Sequence, residues 1–429
     1  MFVHLDVGWL RHPFPINSFR IVSPDQIETL RSLGLERVRY APEKSDLSLE
    51  IDAKTETETE KKAEVEITAS AVAALTPTGK AGKRPVMALS LDPQKISPER
   101  HLALQQRRLI GSDQRFSLAV DQYRSVALAA RKDAAGARMV SEMLVLGCVD
   151  DLQCNGESVI RLLSESVGER GAMHPVNVMV LSLLLGKAQG LTACELQELG
   201  MAALLHDLGK LQLPVQLAQS TTHRASPERI GYQDHVGESV ALAQRMGLSS
   251  AVLIAIAQHH EMADGSGFPL GLLGADFSPA GRILSLVNHY DSLCNPASHA
   301  EALTPHEALA VLFSRLKAQF DTDTLNAFIR MMGVYPPGSV VQLVNGLYAL
   351  VVSVNSARPL RPKIIVHDPD IPQDQAPILD LESLPAFGIR RSLKPSQLPR
   401  AALDYLSPRQ RICYFFERAV EPPRSEGAL

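Results

Sequence analysis

The 429-residue chain carries a formal net charge of −4, with 45% hydrophobic and 21% charged residues. This is the balance of a soluble globular protein long enough for two or three domains. That charge excludes a general binder of nucleic acid or of anionic membranes, since both draw on a net positive field. Cys148, Cys154, Cys194, Cys294 and Cys413 show no paired spacing, which excludes a disulfide frame and a zinc ribbon and fits free thiols in a reducing compartment.

The first ten residues lack a basic segment followed by an apolar core, so no secretory signal is expected. The apolar run Val176 to Leu185 is too short to span a membrane, and a cytoplasmic location follows as the expectation. Residues 1–45 read as a small α/β unit. Strand-like pieces at Ser18 to Val22 and Glu36 to Tyr40 flank a short helix opened by Pro24-Asp25-Gln26 and stopped by Gly34. Residues 46–96 read as a linker: Lys54 to Glu66 is rich in Thr, Glu and Lys, and Pro77 to Pro85 in Gly, Pro and Lys.

Residues 97–335 predict helix after helix. Leu102, Leu109, Phe116, Val120, Tyr123 and Ala127 form one apolar stripe, and Met139, Met143 and Leu146 a second, both read as core or dimer-seam packing. Val176 to Leu185 and Leu248 to Ala257 are the most apolar segments and belong at the centre of the bundle. After Pro336-Pro337 the period changes. Val340 to Val344, the turn Asn345-Gly346 and Leu347 to Val354 read as a hairpin, with Lys363 to His367 as a third strand, giving a β extension over 336–370. The tail, 371–429, is interrupted by prolines, with one helix expected around Ser407 to Ala419. The fold class is therefore mainly α, a helical core with a small α/β unit before it and a short β extension after it. No internal repeat and no Gly-rich phosphate loop is visible.

The chemistry concentrates at helix ends. The buried run Met201 to Leu205 stops on His206-Asp207, and Gly209 and Pro214 then break the pattern. His174 opens one apolar helix, His235 lies within Gln233-Asp234-His235-Val236-Gly237, and His259-His260 closes another helix just before Glu261 and Asp264-Gly265-Ser266-Gly267-Phe268-Pro269. Five histidines and an aspartate at buried helix ends would each need a separate buried partner; a shared metal satisfies them together.

The order His, His-Asp-Leu-Gly-Lys, His, His-His-Glu and Asp-Gly-Ser-Gly-Phe-Pro resembles the HD-GYP family, bacterial phosphodiesterases of cyclic di-GMP. The resemblance runs over about 168–335, with Gly267-Phe268-Pro269 standing for the name-giving Gly-Tyr-Pro. The first 45 residues and the hairpin after Tyr335 also resemble one branch of that family, which carries a small N-terminal domain of unknown function. The resemblance implies an HD-type helical bundle in which His174, His206, Asp207, His235, His259 and His260 hold two divalent metals, with Asp207 bridging. Imidazole mixed with carboxylate suits iron or manganese. Two such metals activate water and hold phosphoryl oxygens. The resemblance further implies that Lys210 acts with Asp207 in catalysis, its charge facing the phosphoryl group, and that Gly267, Phe268 and Pro269 contact the substrate. Cyclic di-GMP is the implied ligand, and homodimer formation stays open.

Three departures stand beside the resemblance. The family's last metal-binding Asp falls on Asn288, whose amide oxygen is a weaker donor, with Asp291 one turn further as a displaced substitute. Arg170 occupies the position of a Glu that would support a third metal, with Glu169 one place out of register, so no third metal is expected. The basic stretches Lys-Pro-Gly-Lys and Arg-Pro-Tyr-Arg-Lys read Ser220-Thr221-Thr222-His223 and Ala297-Ser298-His299-Ala300-Glu301, which removes cations that would clamp a cyclic dinucleotide. Two other readings therefore accompany the phosphodiesterase: a degenerate module that binds nucleotide or a partner protein without catalysis, and another HD-type nucleotide phosphohydrolase.

Overall fold

The computed structural model describes residues 98–153, 158–163, 170–214, 227–355, 362–384 and 387–418, together with short pieces before residue 98. The chain divides into two units, Met1–Pro98 and Glu99–Leu429. In the first, β1 (Phe2–His4) pairs antiparallel with β2 (Ser18–Arg20) and with β3 (Arg39–Tyr40). β2 and β3 fall within the two stretches expected as strands. The helix expected between them lies, apart from Ile27 and Arg31, outside the described residues, as does the 46–96 linker.

The second unit opens with two long helices, α1 (Pro98–Ala129) and α2 (Ala134–Gln153). Phe116, Val120 and Tyr123 of the first stripe are buried, whereas Met139, Met143 and Leu146 are exposed. The packed face of α2 runs instead through Ala137, Val145, Val149 and Leu152, so the second stripe is surface and not core. After these come α3 (Arg170–Ala188), α4 (Ala193–Leu205), a short 3-10 helix (Leu208–Gln212), α5 (Pro227–Arg245), α6 (Ser250–Gln258), α7 (Pro279–Cys294), α8 (Pro305–Ser314) and α9 (Thr322–Met332). The helical fold class holds.

Composition and caps explain these helices. Val176 to Leu185 has no polar face, and α3 is correspondingly buried between α4 and α7. α4 starts on a capping box in which Thr192 and Glu195 satisfy each other's backbone amides. Gly209 lets the 3-10 helix press against α5. A Cβ there would run into the His235 carbonyl oxygen, and the Gly209 amide donates to Ser239 Oγ at 2.8 Å.

A seven-stranded antiparallel sheet flanks the bundle. The hairpin read at 340–354 forms as β5 (Val340–Leu343) and β6 (Tyr348–Asn355), with Gly346 at φ 87° in the turn, and β7 (Lys363–Val366) pairs with β6. The sheet also takes in β8 (Ile378–Asp380) and β9 (Ile389–Leu393) from the tail. Two of its strands contradict the sequence reading. Ser158–Leu162, within the stretch expected to be helical, is β4, and the helix expected at 407–419 is instead β10 (Tyr414–Arg418), preceded by α10 (Arg400–Leu406). Tyr414, Phe415 and Phe416 favour a pleated surface and pair with Leu162, Arg161 and Ile160. No helix among the described residues is long and apolar enough to cross a membrane.

Candidate metal centre

His206 follows the last residue of α4, and Asp207 then sits at φ −104°, ψ 7° as the chain tightens into the 3-10 helix. α3 brings His174, α5 brings His235, and the end of α6 brings His259 and His260. These elements converge on the Asp207 carboxylate. Its Oδ2 lies 3.4 Å from His174 Nε2 and 3.5 Å from His206 Nε2; its Oδ1 lies 3.5 Å from His235 Nε2 and 3.7 Å from His259 Nε2. The donor atoms form two groups that share Asp207. One joins His174 and His206 to it, and the other joins His235, His259 and His260, each group with its donor atoms within 4.8 Å of one another.

The far nitrogens of these rings decide what the near ones can do. Nδ1 of His206, His235 and His259 lies 2.7, 2.5 and 2.6 Å from the carbonyl oxygens of Ala203, Tyr232 and Ile256, each three residues earlier. A carbonyl only accepts, so each Nδ1 carries the proton and each Nε2 presents a lone pair. His174 Nδ1 donates likewise to Asp291 Oδ2. Bare Nε2 atoms then face each other at 3.3 Å (His174 and His206) and 3.2 Å (His235 and His259). Lone pairs that close repel unless a cation lies between them. Asp207 Oδ1 and His260 Nε2 are buried with no hydrogen-bond partner among the described residues. The donor set therefore fits a metal ion, and the acceptors behind the rings already fix the tautomers such binding needs.

The charge states agree. Burial pushes His206 and His235 down to about 4 and holds His259 and His260 well below the ordinary imidazole value. Burial opposes ionisation of Asp207, but His206, Lys210 and His174 around it outweigh that and hold its carboxyl well below the usual range. Lys210 Nζ lies 2.6 Å from Asp207 Oδ2 and 5.3 Å from the centre of the Tyr232 ring. Burial disfavours its charge, and Asp207 more than restores it, so its pKa is raised. Neutral imidazoles, an ionised carboxylate and an ammonium ion stand together.

The loop after α6 closes one side. Buried Glu261 accepts the amides of Leu270 and Leu272 at 2.6 and 2.9 Å, which folds 261–272 back on itself. Gly267 passes so close that a Cβ would meet Glu261 Cα at 2.5 Å. The ring of Phe268 stacks on His260, 4.5 Å between centres and 21° between planes, and the Phe268–Pro269 bond is cis.

Residues 157–324 match the HD domain family model, and residues 1–138 match a domain of unknown function, DUF3391. The chain is 26% identical over 375 residues to a cyclic di-GMP phosphodiesterase of Pseudomonas aeruginosa, covering 85% of this chain and 82% of that protein. Residues 157–324 are therefore read as an HD domain. The chain is 24% identical over 192 residues to a cyclic di-GMP phosphodiesterase of Borreliella burgdorferi, and 32% identical over 155 residues to a cyclic di-GMP phosphodiesterase response regulator of Xanthomonas campestris. It spans 51% and 39% of those two proteins.

Within this site, Asn288 does not join the histidine groups through its nitrogen. It is buried on α7, and its Nδ2 donates to the His259 carbonyl at 3.3 Å, which leaves Oδ1 as the only atom it can offer a metal. Asp291 stands behind His174, on the ring's far side from Asp207, and so is a support for the ring and not a displaced ligand. Ser220 to His223 and the side chains of Arg170 and His299 lie outside the described residues. Sequence reasoning missed Tyr232, whose ring packs on His235, His260 and Phe268 at 4.6, 5.8 and 6.4 Å between centres. It lies one helical turn before His235, the only signal available. Asn177, one turn after His174, was missed in the same way; it donates to Asp291 Oδ1 at 2.5 Å.

Proposed function

We propose that the chain is a metal-dependent phosphodiesterase that hydrolyses cyclic di-GMP. The observation that carries this reading is the Asp207 carboxylate, each oxygen of which faces two histidine Nε2 atoms stripped of protons by their own backbone or carboxylate partners. In this reading His174, His206, His235, His259 and His260, together with Asp207, would hold two divalent metals, iron or manganese, and Asn288 Oδ1 would be a weak additional donor. The metals supply Lewis acidity and an activated water for in-line displacement at phosphorus. Lys210 holds the Asp207 carboxylate in place and would set a fixed positive charge where negative charge develops on the phosphoryl oxygens. Gly267, Phe268 and Pro269 form the substrate-facing rim, and Phe268 fixes the His260 ring by stacking.

Purified chain loaded with manganese or ferrous iron and given cyclic di-GMP tests this, with products separated by chromatography. Linear dinucleotide or GMP in a metal-dependent yield is the expected result; intact cyclic di-GMP with metal bound contradicts it. A second reading, a module that binds nucleotide without cleaving it, is favoured by one feature: residue 288 is Asn where the family resemblance implies a metal-binding Asp. Binding of cyclic di-GMP without turnover would select it.

A further inference from the structure

We infer that the two metal positions are unequal, with one resident ion and one that exchanges; this rests on the proposed reading of both histidine groups as metal positions. The resident ion lies on His235, His259 and His260 with Asp207 Oδ1, and the exchanging ion on His174 and His206 with Asp207 Oδ2. The two oxygens of Asp207 stand in different surroundings. Oδ2, which faces His174 and His206, is also 2.6 Å from the Lys210 ammonium. Oδ1, which faces His235 and His259, has no hydrogen bond among the described residues. A cation on the Oδ2 side must share that oxygen with the ammonium or displace it, and like charges so close to a buried carboxylate repel strongly. A cation on the Oδ1 side meets no such competitor.

The donor sets differ in the same direction. Three imidazoles join Asp207 in one group and two in the other, and each further protein ligand in place of water adds to affinity. Access differs as well. The side chains of His235 and His259 are fully buried and Phe268 stacks on His260, whereas the His174 side chain is 14% exposed. An ion beside His174 is therefore the one nearer to solvent. Asp291 opposes this order. Held by Asn177 and by Asn295 at 2.9 Å, it makes His174 a more basic ligand. It strengthens one donor, but it neither supplies the missing imidazole nor removes the ammonium from Oδ2. The consequence is regulatory: turnover that needs both ions follows the free concentration of divalent metal.

The test is a manganese titration of the full chain, with free manganese read by electron paramagnetic resonance and bound metal by elemental analysis. Wild type should retain about one ion per chain through a chelating column and bind a second at least about a hundredfold more weakly. His174→Ala should keep the retained ion and His260→Ala should lose it, with melting curves to check that both fold. Lys210→Met should tighten the weaker ion by about tenfold and the retained ion by less; it decides the matter if His260→Ala does not fold. Two ions of equal affinity, no retained ion, a retained ion lost in His174→Ala but kept in His260→Ala, or a weaker ion unmoved by Lys210→Met overturns the inference. Cyclic di-GMP turnover is followed along the same titration. Unequal ions with no turnover at any manganese concentration leave the inference standing, and the phosphodiesterase reading falls. Turnover with two equal ions leaves the phosphodiesterase reading standing, and the inference falls.

Discussion

His174 Nδ1 lies 2.5 Å from Asp291 Oδ2, so a buried carboxylate from α7 orients the ring that α3 supplies. A carboxylate behind an imidazole fixes its tautomer and raises its basicity, and removing such a partner costs about 10–100-fold in metal affinity. Asp291→Ala should therefore lower metal affinity by about that factor, measured by competition with a chelator. Unchanged affinity would mean that His174 needs no support from behind.

Gly209 sets a steric limit on the centre. A methyl group there would run into the His235 carbonyl oxygen and lie 2.7 Å from the Ser239 amide nitrogen. Gly209→Ala should destabilise the chain by about 1–3 kcal/mol through overpacking and lower metal content by moving α5 with His235. A melting temperature and metal content equal to wild type would show that the two elements separate at no cost.

Much of this centre was legible because metal ligation restricts residue type at each position: His-Asp and His-His at the ends of apolar runs are hard to explain otherwise. Its supports were not. Asn177, Asn295 and Tyr232 act through one or two hydrogen bonds or a ring face, and no periodicity marks them. Ile412 to Phe416 is a short apolar run whose helix and strand readings cannot be separated by period. Only its pairing with β4 decides it. The hairpin at 340–355 was readable from Asn345-Gly346, which demands a tight turn.

Asn288 makes a further prediction. A carboxylate binds a divalent cation more strongly than an amide oxygen. Asn288→Asp should raise metal content per chain, measured by elemental analysis after loading with manganese. Unchanged content would place Asn288 outside the metal's reach, with its role confined to the His259 carbonyl.

His306 gives a pH dependence separate from the metal centre. It is buried, its ring stacks on Tyr335, and its Nδ1 donates to the Val334 carbonyl at 2.7 Å. Burial lowers its pKa. The unfolded chain takes up this proton near 6.5 and the folded chain only at lower pH, so stability falls as pH drops below about 6.5. Thermal melts of His306→Gln should show a shallower loss between about pH 7.5 and 5.5 than wild type. Identical slopes would mean that other groups carry the whole dependence.

The most direct test of the metal centre is Asp207→Ala, with metal content and cyclic di-GMP hydrolysis measured on one preparation beside wild type. Among the described residues, Asp207 is the only carboxylate shared by the two histidine groups. Metal and turnover are expected in the wild type, and in the variant a loss of most of the metal with turnover down by about a hundredfold or more. A variant that keeps its metal and hydrolyses cyclic di-GMP at the wild-type rate would contradict a centre built on Asp207.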